Sequence, residues 1–440
     1  MPKKIQNGGI LIKNKKSKES IIYFIENCKS IKFISKNSTS GAVFECTLKE
    51  GVESPYEMIR SNNFKSPVKK IIVKLVGIDS VVRDNGNEPS WTIPEYELPN
   101  FVEKRIEQEK TFKEEVNIQT RLFFQSMRLL NPWCPAPVYA SVEKDKDAAI
   151  DFINKMIRGS GNGEAIAVLN AINRNILQRK IPYLGILGME LAEDYIGLYV
   201  YYHYYKIHPE ELAPSIKRYE NMARLRILDI ALESGYSQAD YHSGNVFVNE
   251  HATGYYDELD GNVLIIDFGL ANKIPLEKMQ QIEQFYSENN FVQALKVLNT
   301  LSRCDGEKCS THPSHYGWLS YDYDRSNEKT MTLDEDQIAE ENEELLDLKR
   351  REIVANNKRI AFYNDASHDA ERDKYPLLPL STEVEHSFLE GLGLEGLGDL
   401  LTGGKKKNSK KTKKNKTKKN KTQKRAKRKQ KRRKSKYLIT

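Results

Sequence analysis

The sequence contains no run of roughly 18–20 apolar residues, so it offers no segment that would cross a bilayer as a helix. Its first twenty residues, MPKKIQNGGILIKNKKSKES, carry positive charge but lead into no leader-like apolar stretch of about 7–15 residues, which argues against a secretory signal. The expectation is a soluble, intracellular chain that is not secreted. Cysteine is scarce and odd in number: Cys28, Cys46, Cys134, Cys304 and Cys309 are scattered over 440 residues. In a long charged chain without a leader that pattern means reduced thiols and excludes a disulfide framework. Acid is missing altogether between Lys405 and Thr440, where 21 Lys and Arg stand with no Asp or Glu. Without those charges the net +8 becomes −13 for residues 1–404. The body is therefore acidic, and any attraction to polyanions resides in the tail. No aromatic residue precedes Tyr437 in that tail, so base stacking is not expected of it, and no long internal repeat is present.

Hydrophobic residues, at 39%, are enough for a sizeable core, and the length suits two or three domains. Residues 1–30 read as an amphipathic extension with one apolar patch, IIYFIENC. Strands follow: IKFIS, AVFECTL after the polar turn KNSTSG, and VKKIIVKLV, each rich in β-branched or aromatic residues and bounded by Gly, Asn, Ser or Pro. Apolar residues recurring at three- and four-residue steps predict a helix over 101–130, stopped before Pro132 and Pro135. PVYASV and YLGILGMEL read as further strands, with one or two helices around GSGNG between them. A helix over 211–235 ends at Gly235, and the strand-like runs NVFVN and NVLIID flank a polar loop. Residues 303–330 read as a polar loop and 333–362 as a long charged helix. The boundaries drawn are an extension over 1–30, a sheet-rich lobe with a helical insertion over 31–190, a helical lobe over 191–385, a Gly-rich linker over 386–404 and a basic low-complexity tail over 405–440. The tail's self-repulsion predicts disorder until it meets a polyanion.

Chemistry concentrates in two strings, QADYHSGNVFVN and VLIIDFGLAN. Asp240 and Asn245 stand five apart on one loop, and Asp267 follows an apolar strand in Asp-Phe-Gly. Phosphoryl transfer asks a protein for positioning and electrostatics: a held Mg²⁺, a carboxylate near the attacking hydroxyl and cations on the phosphates. Asp240 can meet the nucleophile, Asn245 and Asp267 can hold the metal, and Gly269 lets the backbone turn beside them. A lone Asp-Phe-Gly is weak, but its coexistence with the upstream pair makes chance a poor explanation.

These strings resemble the catalytic loop and Asp-Phe-Gly motif of the protein-kinase-like superfamily. Asp240-Tyr241-His242-Ser243-Gly244-Asn245 is closest to the Asp-x-His-x-Gly-Asn loop of its ABC1-type and aminoglycoside-phosphotransferase-type members. The resemblance covers about residues 31–300. It implies an α+β fold of two lobes, a small antiparallel-sheet lobe and a larger helical lobe, with ATP and Mg²⁺ between them. It implies Asp240 as catalytic base and Asn245 and Asp267 as metal ligands. Lys74 in IIVKLV becomes the phosphate lysine, and Glu115 its helix partner, with Glu114 as the competing choice. Gly41 and Val43 belong to the phosphate-covering turn, and Met189 opens a hinge in which Glu190 to Ala192 offer backbone contacts to adenine. His242 is read as a loop-holding residue.

The sequence also departs from the family. Gln238 and Ala239 stand where most protein kinases have His-Arg, one glycine remains of the usual three, and no Ala-Pro-Glu follows Asp-Phe-Gly. These departures bear on acceptor and regulation more than on ATP chemistry. The expected activity is transfer of the ATP γ-phosphate to a hydroxyl, first as a serine/threonine protein kinase acting on basic proteins. The alternatives are a small-molecule kinase, or a catalytically silent kinase-like scaffold with a nucleic-acid-binding tail. The Lys/Asn/Thr-rich tail also resembles tails on proteins of large DNA viruses, which points to nucleus, viral factory or virion. Cys304, Cys309, His312 and His315 have the atoms for tetrahedral zinc, but their spacing matches no common module, and a polar surface loop is the preferred account.

Overall fold

The computed structural model describes residues 6–7, 10–12, 17–34, 41–58, 66–80, 89–94, 101–127, 131–192, 195–205, 209–241, 243–249, 262–301, 323–324, 329–330 and 334–364. The linker, the basic tail, His242 and the Cys304–His315 set lie outside these residues. Among the described residues no helix is long and apolar enough to cross a membrane.

The protein is a mixed α/β structure built on an antiparallel sheet. Helix α1 (Ser17–Glu26) leads into β1 (Cys28–Phe33), followed by β2 (Gly41–Leu48) and β3 (Lys70–Asp79). A hairpin of β4 (Ser90–Pro94) and β5 (Phe101–Arg105) precedes helix α2 (Glu109–Met127). Strand β6 (Pro137–Glu143), helices α3 (Lys146–Gly159) and α4 (Gly163–Leu177), and strand β7 (Tyr183–Glu190) complete the first half. The sheet order is β6-β7-β3-β2-β1, and every one of these neighbours is antiparallel. Strand β3 lies at its centre and is buried from Ile71 to Asp79, so it reads as a nearly continuous apolar run. Helix α2 lies on one face and α1 on the other: a Cβ built at Gly185 would meet Phe112 at 3.2 Å, and one at Gly188 would meet Ile21 at 3.4 Å.

Two features differ from expectation. The segment 101–108 is not helical: β5 pairs with β4, Trp91 opposite Lys104, and the helix starts only at Glu109. Its pattern of charges and spaced apolar residues suits either state, and the long-range partner decides. The segment read as an extension packs into the core, with Ile21, Phe24 and Ile25 fully buried. The α3–α4 pair is tied to β1 by the turn between its helices, where Ser160 Oγ donates to the Ile31 carbonyl at 3.0 Å.

The second half is mainly helical. Helix α5 (Leu198–Tyr205) precedes α6 (Pro209–Ser234), which is buried without interruption from Tyr219 to Ala231. Short strands β8 (Tyr236–Ser237), β9 (Val246–Asn249), β10 (Asn262–Ile265) and β11 (Asn272–Lys273) follow, then helices α7 (Leu276–Ser287), α8 (Phe291–Asn299) and α9 (Glu335–Asn364). A buried ionic cluster fastens α9 to α6. Arg226 meets Glu352 at 2.9 Å, and Lys349 meets Asp229 at 2.8 Å and Glu352 at 3.1 Å. The Asn131 amide and the Tyr286 hydroxyl donate into the same carboxylates. Burial opposes the charge on Glu352, but Arg226 and Lys349 outweigh it and pull the carboxyl down to about 2. The Arg226 guanidinium also lies over the Trp133 ring at 5.4 Å, and the Trp133 carbonyl accepts from Ile265 N–H at 2.8 Å, at the end of β10.

Candidate active site

Lys74 sits midway along β3, the third strand of the main sheet in chain order, opposite Val43 of β2 and Leu187 of β7. Its side chain emerges on the α2 face. The stripe of α2 turned to the sheet includes Phe112, Glu115, Val116, Gln119 and Phe123, all buried. Glu115 therefore enters the core, and its Oε1 lies 2.7 Å from Lys74 Nζ. Glu114, one residue earlier, points toward Lys110 at 3.9 Å with 42% of its side chain exposed. The second carboxylate near Lys74 is Asp267, at 3.6 Å and 44% exposed. Burial works against the Lys74 charge, but Asp267, Glu115 and Glu107 together hold the ammonium well above the usual lysine range. Burial pushes Glu115 up to about 7, against the pull of Lys74. The two shifts pull opposite ways on the pair. At 2.7 Å, with Lys74 so firmly protonated, the ionic form is the one the geometry supports.

Asp240 and Asp267 occupy two loops stitched together. Helix α6 ends at Gly235, whose φ of 74° lets the chain reverse into β8. β8 pairs with β11, Tyr236 opposite Lys273 and Ser237 opposite Asn272, and Ile274 N–H closes onto the Gly235 carbonyl at 2.9 Å. Beyond β8 come Gln238, Ala239, Asp240 and Tyr241; the Tyr241 hydroxyl is in close contact with Ser237 Oγ. A single 3₁₀ turn, Ser243–Asn245, feeds β9, which pairs with β10, and Ile266 N–H bonds the Asn245 carbonyl at 3.0 Å. Asn245 Nδ2 donates to Asp240 twice, to its carbonyl and to Oδ2, both at 3.1 Å. Ala239 and Asp267 have left-handed backbone, with φ of 65° and 57°. Such conformations in non-glycine residues concentrate where a site holds strain. Asp267 Oδ1 also accepts from Gly269 N–H at 3.2 Å.

The structure thus brings Lys74, Glu115 and Asp267 into one contact group, and Asp240, Asn245 and Gln238 into a second that is bonded to the Asp267 loop. Gly41 is the first residue of β2, paired with Val76; a Cβ there would lie 3.1 Å from the Leu75 carbonyl and 3.3 Å from Lys74 Cγ. The turn before it, 35–40, lies outside the described residues. In the expected hinge, Glu190 N–H is committed to the Ala136 carbonyl at 2.9 Å, Leu191 N–H to Lys70 at 3.4 Å, and the Ala192 carbonyl to Tyr195 N–H at 3.1 Å. Any adenine contact falls to the other backbone atoms of that segment. Gln238, which the sequence marks only as a departure, proves to be a junction of the two loops, and no local signal in the sequence flags it.

The donor set suits a hard divalent cation: Asp267 offers carboxylate oxygen and Asn245 a side-chain carbonyl. Among the described residues no group of three or more His, Cys, Asp or Glu could hold a metal unaided. Mg²⁺ characteristically binds one or two protein oxygens and completes its shell with phosphate and water.

No protein-family model matches the chain, and no curated protein matches it in sequence. Among solved structures it is similar to one titled "WaaP in complex with acyl carrier protein", at 11% identity and a TM-score of 0.27, over 68% of this chain and 89% of that one. A likeness at that score says nothing further about fold or chemistry.

Proposed function

We propose that the protein is an ATP-dependent phosphotransferase of the two-lobed protein-kinase-like kind, with the main sheet and α2 forming the small lobe and the body from α5 onward the large one. The observation that carries this is the buried Lys74–Glu115 ion pair within 3.6 Å of Asp267, combined with the bonded Asp240–Asn245 loop. Lys74, aligned by Glu115, meets the ATP phosphates with a full positive charge. Asn245 and Asp267 would hold Mg²⁺, which supplies neutralisation of charge on the phosphates. Asp240 orients the acceptor hydroxyl and takes its proton. Asn245 keeps the Asp240 carboxylate in register by donating to Oδ2.

For the acceptor, the first class is a serine or threonine hydroxyl on a basic protein, favoured by the net −13 of residues 1–404. A second class, a small-molecule alcohol, is favoured by one specific feature. Only residues 268–275 separate Asp267 from α7, and they are pinned to β8 through β11, leaving no long segment there to align a peptide.

The test is γ-phosphate transfer from labelled ATP and Mg²⁺ with the full chain, a generic basic protein and, separately, a panel of small alcohols. Label on protein that disappears in Asp240→Ala supports the first class, and label on a small alcohol the second. ATP bound without any turnover would leave a silent scaffold and refute the enzyme proposal.

A further inference from the structure

Gln238 takes no part in the roles assigned above, yet it is among the most enclosed polar residues of the site, at 2% exposed. All of its side-chain hydrogen-bonding capacity that the structure shows is spent between the two loops. Its Nε2 donates to the Asp267 carbonyl at 2.8 Å and to the Ile266 carbonyl at 3.1 Å. Its Oε1 accepts from Asp240 N–H at 2.9 Å. One planar amide therefore grips the backbone of the proposed base and the backbone of the proposed metal ligand and its predecessor.

We propose that Gln238 is a positioning residue that clamps the Asp240 loop to the Asp267 loop and fixes the distance between base and metal ligand. The proposal rests on the phosphotransferase assignment and adds a residue to it. Three points support it. The gripped backbone flanks both left-handed residues, Ala239 and Asp267, conformations that persist only when surrounding contacts over-determine them. The task needs two donors and one acceptor on a single rigid group, which among side chains only a carboxamide supplies; a neutral imidazole has one of each. The β8–β11 pairing and the bond from Ile266 N–H to the Asn245 carbonyl at 3.0 Å hold other parts of these loops together, and Gln238 adds a direct tie between the Asp240 N–H and the carbonyls of Ile266 and Asp267.

The experiment compares wild type, Gln238→Met, which keeps the volume and removes the polar atoms, and Gln238→His, which retains one donor and one acceptor. Near-attack placement is sensitive enough that Gln238→Met is expected to lose about 100-fold in kcat. Its KM for ATP should stay within about threefold, because Lys74 and Glu115 are untouched. Gln238→His should recover part of the kcat loss. Amide exchange without nucleotide gives a readout independent of turnover: the Asp240 N–H should exchange at least about tenfold faster in Gln238→Met, with Ile266 N–H unchanged. Wild-type kcat in Gln238→Met, a loss confined to KM, or unchanged Asp240 exchange overturns the clamp. If Gln238→Met does not fold, exchange in the wild type decides: protection of Asp240 N–H matching that of Ile266 supports the clamp, and unprotected exchange refutes it. A wild type that transfers no phosphate defeats the enzyme assignment instead, and the exchange comparison still rules on the clamp.

Discussion

Replacing Glu115 by glutamine probes whether Lys74 and Glu115 form one coupled unit. Both are enclosed, at 6% and 2% exposed, and 2.7 Å apart. Removing one partner of a buried pair typically costs about 3–5 kcal/mol, because the other charge is left without compensation. Here Asp267 remains 3.6 Å from the same ammonium, but it is 44% exposed and hydrated, so it offsets only part of that cost. The expected loss is about 2–4 kcal/mol. At roughly 2–4 °C per kcal/mol for a body of this size, Tm should fall by roughly 4–16 °C. Lys74→Met alone should be milder. It leaves a carboxyl that burial already pushes up to about 7, and that carboxyl can take a proton instead of staying charged. The double variant removes the orphaned ammonium as well, so its loss should be smaller than the sum of the two singles by at least about 1 kcal/mol. The assay is urea and thermal unfolding of the four proteins at neutral pH. Additivity within about 0.5 kcal/mol would show that the two residues are energetically independent, and the pairing on which the site is built would fail.

Other outcomes follow from other parts of the chain. The Glu352 carboxyl, held near 2 against an ordinary value of 4.5, contributes stability that is present above pH 4.5 and lost as pH falls through about 2. Acid titration of stability should therefore show a loss of about 3 kcal/mol across that window that is absent in Glu352→Gln, itself less stable at neutral pH. Gly235→Ala isolates backbone strain, since φ is 74° and nothing lies within 4 Å of the added methyl; it should cost about 1 kcal/mol by denaturant unfolding. Deleting 405–440 should abolish binding to duplex DNA or heparin, whereas the full chain should bind with an affinity that falls steeply with salt, by a log–log slope of about −0.9 per phosphate neutralised. A salt-independent interaction, or one retained by the truncated chain, would place the contact on the body.

Part of the candidate site was legible locally, since Asp240, Asn245 and Asp267 stand out by residue type and interval. Lys74 shares its strand with Lys70 and Asp79, and it was the resemblance to kinase-like proteins, with a lysine on the third strand, that singled it out. Where two local answers were equally good, packing chose. Phe101–Arg105 has spaced apolar residues that suit a helix, yet pairs with Ser90–Pro94 because that strand lies alongside and encloses Lys104 opposite Trp91. Glu114 and Glu115 are adjacent and chemically identical, and only the rotation of α2 against the sheet turns one to Lys74 and the other to solvent. The bonding of Gln238 was invisible for the same reason, since its three partners lie two residues away on one side and 28 and 29 on the other. Residue order alone tells which chemical groups exist and which short stretches suit strand or helix. The tertiary structure decided which groups meet, because hydrogen bonds and ion pairs between distant segments depend on helix phase and strand register, and those are set by burial of the whole core rather than by any local run of residues.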